Sequence, residues 1–284
     1  MKEIVIKAMW IVLILSIIFL IALYLYNENT WLQVTKNTII KDKLPEAFNG
    51  YKIAHISDFH NTTSKRLSNS ILDEINRNKV DIVVITGDVI DARRTNTKVT
   101  IDFLTKLLEN NIVYYVPGNH ESRIKVYNEF KKQIIALGVR VLENKVESIT
   151  KGEDKINLLG IKDPTFAHQE YVEDCVIAEK EIESLEYNKE LFTVLLSHRP
   201  EIFETYAKEN MDLVFTGHAH GGQIRIPFIG GVIAPVQGFF PKYTEGVHSF
   251  KNTTMVISRG IGNSAFPFRI NNKPELVIVK LKNK

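Results

Sequence analysis

Cysteine is almost missing: Cys175 is the only one in 284 residues. No internal disulfide can form, and a cysteine-rich zinc site is excluded. An excess of one charge is missing too. The 36 basic and 33 acidic residues leave a formal net charge of +3, which gives no electrostatic case for a nucleic-acid partner. There is no internal repeat and no low-complexity segment. What remains, 44% hydrophobic residues over this length, suffices for one large core and an appendage.

The appendage comes first. Ala8 to Tyr26 is a run of 19 residues broken only by Ser16. As a helix it would span roughly 28 Å at ~1.5 Å per residue, close to the ~30 Å hydrocarbon core of a bilayer. Trp10 lies near one end, with Tyr24, Tyr26 and Trp31 near the other, as expected of interfacial aromatics. A cleavable signal peptide would have an apolar region of ~7–15 residues followed by small residues. Leu25-Tyr26-Asn27-Glu28-Asn29 offers no such site. Residues 1–30 are therefore expected to form one uncleaved transmembrane helix that adds nothing to the fold of the domain behind it. Lys2 and Lys7 precede the span and Lys36, Lys41 and Lys43 follow it. Lysines thus flank both ends, and an extracytoplasmic domain is the expectation. Residues 31–49 read as a connector with some strand character, and residues 50–284 as the domain.

The domain alternates buried strands with amphipathic helices. Tyr51–Ser57 reads as a core strand, Ser64–Lys79 as a helix with Leu67, Ile71, Leu72 and Ile75 on one face, and Val80–Ile85 as a β-branched strand. A helix at Val99–Glu109, a strand at Ile112–Val116 and a helix near Tyr127–Leu137 follow. This order is that of an α/β domain with crossover connections. The texture then turns hairpin-like at Val139–Val141, Val146–Ile149 and Ile156–Ile161. A helix is expected at Glu170–Tyr187, a strand at Leu191–Leu196, and mostly strands after Leu213.

The apolar strands end in polar clusters. Asp58 and His60 follow the first, Asp88 the second, Asn119 and His120 the third, His198 the fourth, and His218 and His220 the fifth. Ligands of an open α/β sheet bind at the carboxyl ends of its strands, so eight such side chains converge on one edge. Each block alone has an ordinary reading: Asp88 as a cap, Asn119 as a left-handed turn residue, His198 as a packed histidine. Five strand ends carrying ligand-type residues make that coincidence improbable. Two carboxylates, an amide and four imidazoles exceed one tetrahedral zinc site. They suit two ions sharing a carboxylate, ~3.5–4 Å apart, able to clamp a phosphoryl group and generate a hydroxide nucleophile near neutral pH.

Asp58-x-His60, Gly87-Asp88, Gly118-Asn119-His120-Glu121, His198 and Gly217-His218-Ala219-His220 resemble, in order, the five motifs of the calcineurin-like metallophosphoesterases. The segments Gly217–Pro227 and Ser258–Glu275 are similar to its membrane-associated bacterial branch, which includes UDP-2,3-diacylglucosamine pyrophosphohydrolase-like enzymes. The resemblance spans about residues 50–282. It implies a four-layer α/β-β/α sandwich of two mixed sheets and two divalent cations (Mn, Fe or Zn). Asp58, His60, Asp88 and His220 would hold the first ion, and Asp88, Asn119, His198 and His218 the second. His120 would face the substrate phosphate as the catalytic acid. Unlike exported relatives, the N-terminus has no twin-arginine pair.

Arg225, Arg259 and Arg269 lie past these motifs and are expected to bind substrate, because a guanidinium fork matches phosphate oxygens. His55, His168 and His248 fall outside the motifs and read as ordinary packed or surface residues. The function expected is a membrane-anchored, two-metal phosphoesterase acting as a monomer on a phosphodiester or pyrophosphate, in a lipid or nucleotide-lipid. A phosphomonoesterase or phosphoprotein phosphatase, and a non-catalytic metal-binding scaffold, are the alternatives. An intact His120 speaks against the scaffold, which needs no acid.

Overall fold

Continuous apolar runs are stable as strands only where both faces are covered, and this chain covers them in layers. The computed structural model describes residues 1–167, 172–263 and 266–284. It begins with α1 (Lys2–Thr30), β1 (Gln33–Ile40), β2 (Lys52–Ile56), α2 (Lys65–Asn78), β3 (Ile82–Thr86), α3 (Thr97–Leu108), β4 (Val113–Val116), α4 (Tyr127–Leu137) and β5 (Arg140–Val141). The second half has β6 (Lys145–Lys151), β7 (Asp154–Gly160), α5 (Asp174–Glu183), β8 (Thr193–Leu196), α6 (Phe203–Lys208) and β9 (Leu213–Thr216). Four short strands follow: β10 (Arg225–Ile226), β11 (Gly230–Gly231), β12 (Ile233–Ala234) and β13 (Gly238–Phe239). β14 (Gly246–Phe250), β15 (Thr253–Ile257) and β16 (Glu275–Lys282) complete it.

Two six-stranded mixed sheets result, ordered β1-β16-β2-β3-β4-β5 and β14-β15-β9-β8-β7-β6. Alternation within each strand explains the layering. In β3, Val83 and Ile85 pack with α2, α3 and α4, while Ile82 and Val84 turn to the opposite sheet. In β9, Leu213 and Phe215 join that inter-sheet core and Val214 packs under α5 and α6. Each such fully buried side chain contributes ~1.5–3 kcal/mol. The outcome is the expected four-layer α/β-β/α sandwich, preceded by one apolar helix. Local signals set the helix ends: Ser64 Oγ accepts from Leu67 N (3.3 Å) at the start of α2, and Gly138 closes α4 at φ 110°.

Three expectations change. The connector at 31–49 is part of the sheet: β1 lies parallel to β16, Gln33 opposite Glu275 and Ile40 opposite Lys282. Local periodicity cannot reveal a partner strand about 240 positions away. The last turn of α1 also touches the domain, where Glu28 Oε2 accepts from Asn272 N (2.8 Å) and Asn29 Oδ1 from Arg269 N (3.1 Å). Residues 1–30 therefore do contribute contacts to the domain. Helix α6 was not expected at all; it buries Phe203 and Tyr206 but is only 6 residues long. His168 and the start of the helix expected at Glu170 lie outside the described residues.

Candidate metal centre

The site forms where the carboxyl ends of β2, β3 and β4 in one sheet meet those of β8 and β9 in the other. All eight side chains expected there are buried. The chain turns sharply at these ends. Asp58, His60, Asp88, His218 and His220 take φ of 52°, 46°, 52°, 65° and 47°, in the left-handed region that non-glycine residues seldom occupy. Such strain gathers where the surrounding structure over-determines it, typically at ligand and active sites.

Flanking glycines make the close approach possible. A methyl group on Gly217 would fall 1.8 Å from Ser57 Oγ and 2.4 Å from Asp58 Oδ2; one on Gly118 would fall 2.3 Å from Asp88 Oδ1. Their role is thus to let backbone press against the carboxylates, more than to leave open room for ions.

Two sets of donor atoms face inward. In the first, His220 Nε2 lies 3.1 Å from Asp58 Oδ1 and 3.2 Å from His60 Nε2. In the second, His198 Nε2 is 3.3 Å from Asp88 Oδ2, 3.2 Å from Asn119 Oδ1 and 3.1 Å from His218 Nδ1. Asp88 Oδ2 also stands 3.8 Å from His60 Nε2, so it faces both sets, while Asp88 Oδ1 accepts from His120 N (2.8 Å).

These residues fit divalent cations. Neighbouring ligands around an ion with bonds of about 2.1 Å lie about 3 Å apart, near the separations here. Asp58 Oδ1 is buried with no hydrogen bond of good geometry, and its neighbour at 3.1 Å is Nε2 of His220, itself a would-be ligand, as suits two donors turned toward one cation. The set of carboxylate oxygens, imidazole nitrogens and an amide suits transition metals such as Mn, Fe and Zn.

The layer behind these donors orients them. Thr86 O receives His198 Nδ1–H at 2.7 Å, which leaves His198 Nε2 to face the centre. His218 N donates to Asp58 Oδ2 (3.1 Å). Behind His218, Arg199 donates Nε and Nη2 to Asp163 (2.6 and 3.0 Å) and Nη1 to Glu201 (3.2 Å), and Nη1 sits 3.5 Å from His218 Nε2.

Burial and neighbouring charge set the protonation. Burial pushes His60 down to about 3 despite Asp88, and it holds His218 well below the usual range, with Arg199 and His198 adding to the effect. Burial opposes charge on Asp58 and Asp88 too. There the adjacent imidazoles, His220 for the first and His198 for the second, outweigh it and keep both carboxyls below the usual range. His198 is the counterpart: burial disfavours its proton, but Asp88, Asp58 and Asp163 together push it up to about 10.

His120 stands beside both sets, its ring 4.6 Å from that of His60. Ala92 N donates to His120 Nδ1 (3.0 Å), so in the neutral ring the proton sits on Nε2, the atom 3.9 Å from Asp88 Oδ2. Burial lowers its pKa, with Asp88 and Asp91 opposing. Glu121, next to His120 in sequence, turns away from it to the backbone. Its carboxylate accepts from Asp88 N (2.8 Å), Gly118 N (2.7 Å) and Ile90 N (3.1 Å), tying two strand ends together. The carboxylates near His120 are Asp88, 3.9 Å from Nε2, and Asp91, 3.5 Å from Nδ1. Asp91 sits three residues past Asp88, and that spacing was the available signal. The Arg199–Asp163 pair had none, because its members lie 36 positions apart.

The arginines expected at the substrate are not free. Arg225 donates to Gly221 O (2.9 Å) and pairs with Glu245. Arg259 is paired with Glu245 (3.3 Å) and Glu275 (3.2 Å). Arg269, wholly buried, donates to Arg259 O (3.0 Å) and Asn272 O (3.3 Å). Buried guanidinium groups require such partners, and distant carboxylates and carbonyls provide them. Among the described residues, exposed arginines near the centre include Arg123, whose Nη2 is 3.3 Å from the outward-facing atom of the Asn119 amide, and Arg93, which acts on His120 but is paired with Asp91 (3.2 Å). His55, as expected, is packed: buried, edge-on to Phe215, with Nε2 2.8 Å from Thr86 Oγ1.

The family model of the calcineurin-like phosphoesterases matches residues 51–222. The chain is 30% identical over 263 residues to the uncharacterized metallophosphoesterase YkuE of Bacillus subtilis, a match covering 91% of this chain and 88% of that protein. It is 28% identical over 264 residues to the phosphodiesterase YaeI of Escherichia coli, covering 90% of each. The solved structure of TT1561 of Thermus thermophilus shares the fold at a TM-score of 0.53 and 12% identity, over 75% of this chain and 91% of that one.

Proposed function

Because the chain belongs to the calcineurin-like phosphoesterase family and is a metal-dependent hydrolase, we propose that it hydrolyses a phosphodiester or pyrophosphate bond at a two-ion centre while tethered to a membrane by α1. One observation carries this reading: Asp88 Oδ2 faces His60 on one side and His198 on the other, as a shared ligand would. Asp58, His60, Asp88 and His220 would hold one divalent cation, and Asp88, Asn119, His198 and His218 the other. Mn, Fe or Zn would suit these donors. When bound, such a pair polarises phosphoryl oxygens and lowers the pKa of water.

The remaining roles belong to side chains. His120 presents Nε2–H toward the centre, because Ala92 N–H occupies Nδ1. That proton is positioned to reach the departing oxygen, a form of help typically worth ~10²–10⁴-fold. Arg123 is placed to meet a phosphate oxygen at the rim. Thr86, Glu121 and Arg199 hold ligands in orientation without touching substrate.

Support for a diester comes from the relative named a phosphodiesterase. Support for the anchor is the length and apolar composition of α1, enough to cross a bilayer. Such a tether would hold the site near the bilayer, which favours a lipid-linked substrate, although an anchor also tethers enzymes with soluble substrates. Purified full-length protein in detergent, supplied with Mn²⁺, tests the reading. It should cleave bis(p-nitrophenyl) phosphate and a nucleoside-diphosphate lipid well above p-nitrophenyl phosphate. Preference for the monoester would favour a phosphomonoesterase, and no turnover with two ions bound would favour a scaffold.

A further inference from the structure

Directly after the His220 turn, the chain makes two small hairpins, β10–β11 and β12–β13. Their apolar side chains point outward. Phe228 is fully exposed, and Ile229, Val236, Phe239 and Phe240 are each more than 60% exposed. All five fall between residues 228 and 240. Phe266 and Phe268, from the segment before β16, are exposed as well, with ring centroids 6.2 Å apart. Large contiguous apolar exposure on a folded domain marks a surface that something covers.

The same segments hold the end of α1. Tyr24 Oη donates to Asn271 Oδ1 (2.8 Å) and accepts from Asn271 N (3.0 Å). Asn271 Nδ2 in turn donates to Arg225 O (3.1 Å), at the base of the first hairpin, and Arg225 N donates to Ile270 O (3.0 Å). Asn29 Oδ1 accepts from Asn263 Nδ2 (3.1 Å). The hairpins are thus fastened to the last turns of a 29-residue helix whose apolar stretch is exposed.

We propose that these hairpins, led by Phe228, Val236 and Phe240, dip into the lipid headgroup region, so that the bilayer itself covers the exposed apolar face. The inference rests on the reading of α1 as a membrane-spanning helix. At ~1.5 Å per residue α1 is about 43 Å long, more than the ~30 Å hydrocarbon core, so its final turns emerge at headgroup level. Whatever is hydrogen-bonded to Tyr24 and Asn29 is held at that level too. Phenylalanine and tyrosine rings are suited to this boundary. A second copy of the chain would also cover apolar loops, but it would have to fit beside a helix embedded in lipid.

The arrangement bears on the metal centre. Asn272, whose backbone N–H is held by Glu28, donates its side chain to His220 O (2.7 Å) and Gln223 O (2.9 Å). The His220 side of the cleft is thereby tied to the helix end, at the depth where a lipid phosphate lies.

Site-directed labelling tests this. The full chain with Cys175→Ser would carry single cysteines at Ile14→Cys, Phe228→Cys, Phe240→Cys or Glu153→Cys, each labelled with an environment-sensitive nitrobenzoxadiazole. Glu153, exposed in the turn just before β7, lies at the opposite end of that strand from the metal centre and serves as the reference. Proteins would be reconstituted in phosphatidylcholine–phosphatidylglycerol vesicles with and without lipids carrying a nitroxide, either on the headgroup or along the acyl chain. The chain nitroxide should quench the label at 14, and the headgroup nitroxide the labels at 228 and 240, at least several-fold more than either quenches the label at 153. Quenching at 14 with 228 and 240 matching 153 would overturn the proposal and leave the anchor standing. No quenching at 14 would overturn the anchor and the proposal together. Blue-shifted but unquenched labels at 228 and 240 would mean that protein, such as a second copy, covers the hairpins.

Discussion

The two sheets bring unlike chemistry to one edge. The ends of β2, β3 and β4 carry both carboxylates, Asp58 and Asp88, the Asn119 amide, and His60 and His120. The ends of β8 and β9 carry imidazoles alone: His198, His218 and His220. Neither half is stable in its charge state by itself. Buried carboxylates without counter-charge would take up protons, and His198 keeps its own only because Asp88 and Asp58 face it. Pairing the two halves across the seam therefore prepares a centre in which a cation can replace a shared proton.

The sharpest way to break the comparison is at the atom both halves use. Asp88→Asn should abolish measurable turnover and reduce bound metal well below two ions per chain, whereas His218→Ala should retain close to one. Metal analysis by mass spectrometry with parallel rate measurements checks this. Two ions retained by the Asp88 variant would mean that Asp88 does not bridge.

A smaller effect is expected at His120, which belongs to the carboxylate half in sequence but presents a proton instead of a lone pair. His120→Asn should keep both ions and lose ~10²–10⁴-fold in rate on substrates with poor leaving groups. The loss should be much smaller for p-nitrophenolate, which departs without a proton. Equal losses on both would point to stabilisation of charge on non-bridging oxygens instead.

The smallest effect is on stability, and its sign follows from the pairing. The folded pKa of His198 is raised to about 10. Its contribution is therefore full below the ordinary value of about 6.5 and lost as pH rises through about 10. Glu121, pushed up to about 8 by burial and Asp88, loses its contribution earlier, between about 4.5 and 8. Above pH 8 the histidine alone remains of these two. Metal-free protein should thus lose a few degrees of melting temperature between about pH 8 and 10. His198→Gln should flatten that slope, and so should metal, because a bound cation displaces the proton. Calorimetry across the range checks both arms.

Much of this molecule could be read from the residues in order. Strands buried on both faces are continuous apolar runs, amphipathic helices repeat every three to four residues, and ligand-type side chains stand immediately after strands. Those are local properties, so β2, β3, β4, β8 and β9 and the eight residues at their ends were legible. What stayed hidden was non-local. The pairing of β1 with β16, the commitment of Arg225, Arg259 and Arg269 to Glu245, Glu275 and nearby carbonyls, and the Asp163–Arg199 pair behind His218 all join distant positions. So does the bond from Glu28 at the end of α1 to Asn272 beside the His220 turn. The residue types and spacings determined which side chains are capable of holding metal. Tertiary packing alone decided which arginines are left to meet a phosphate, because a buried charge goes to whatever partner the fold brings nearest.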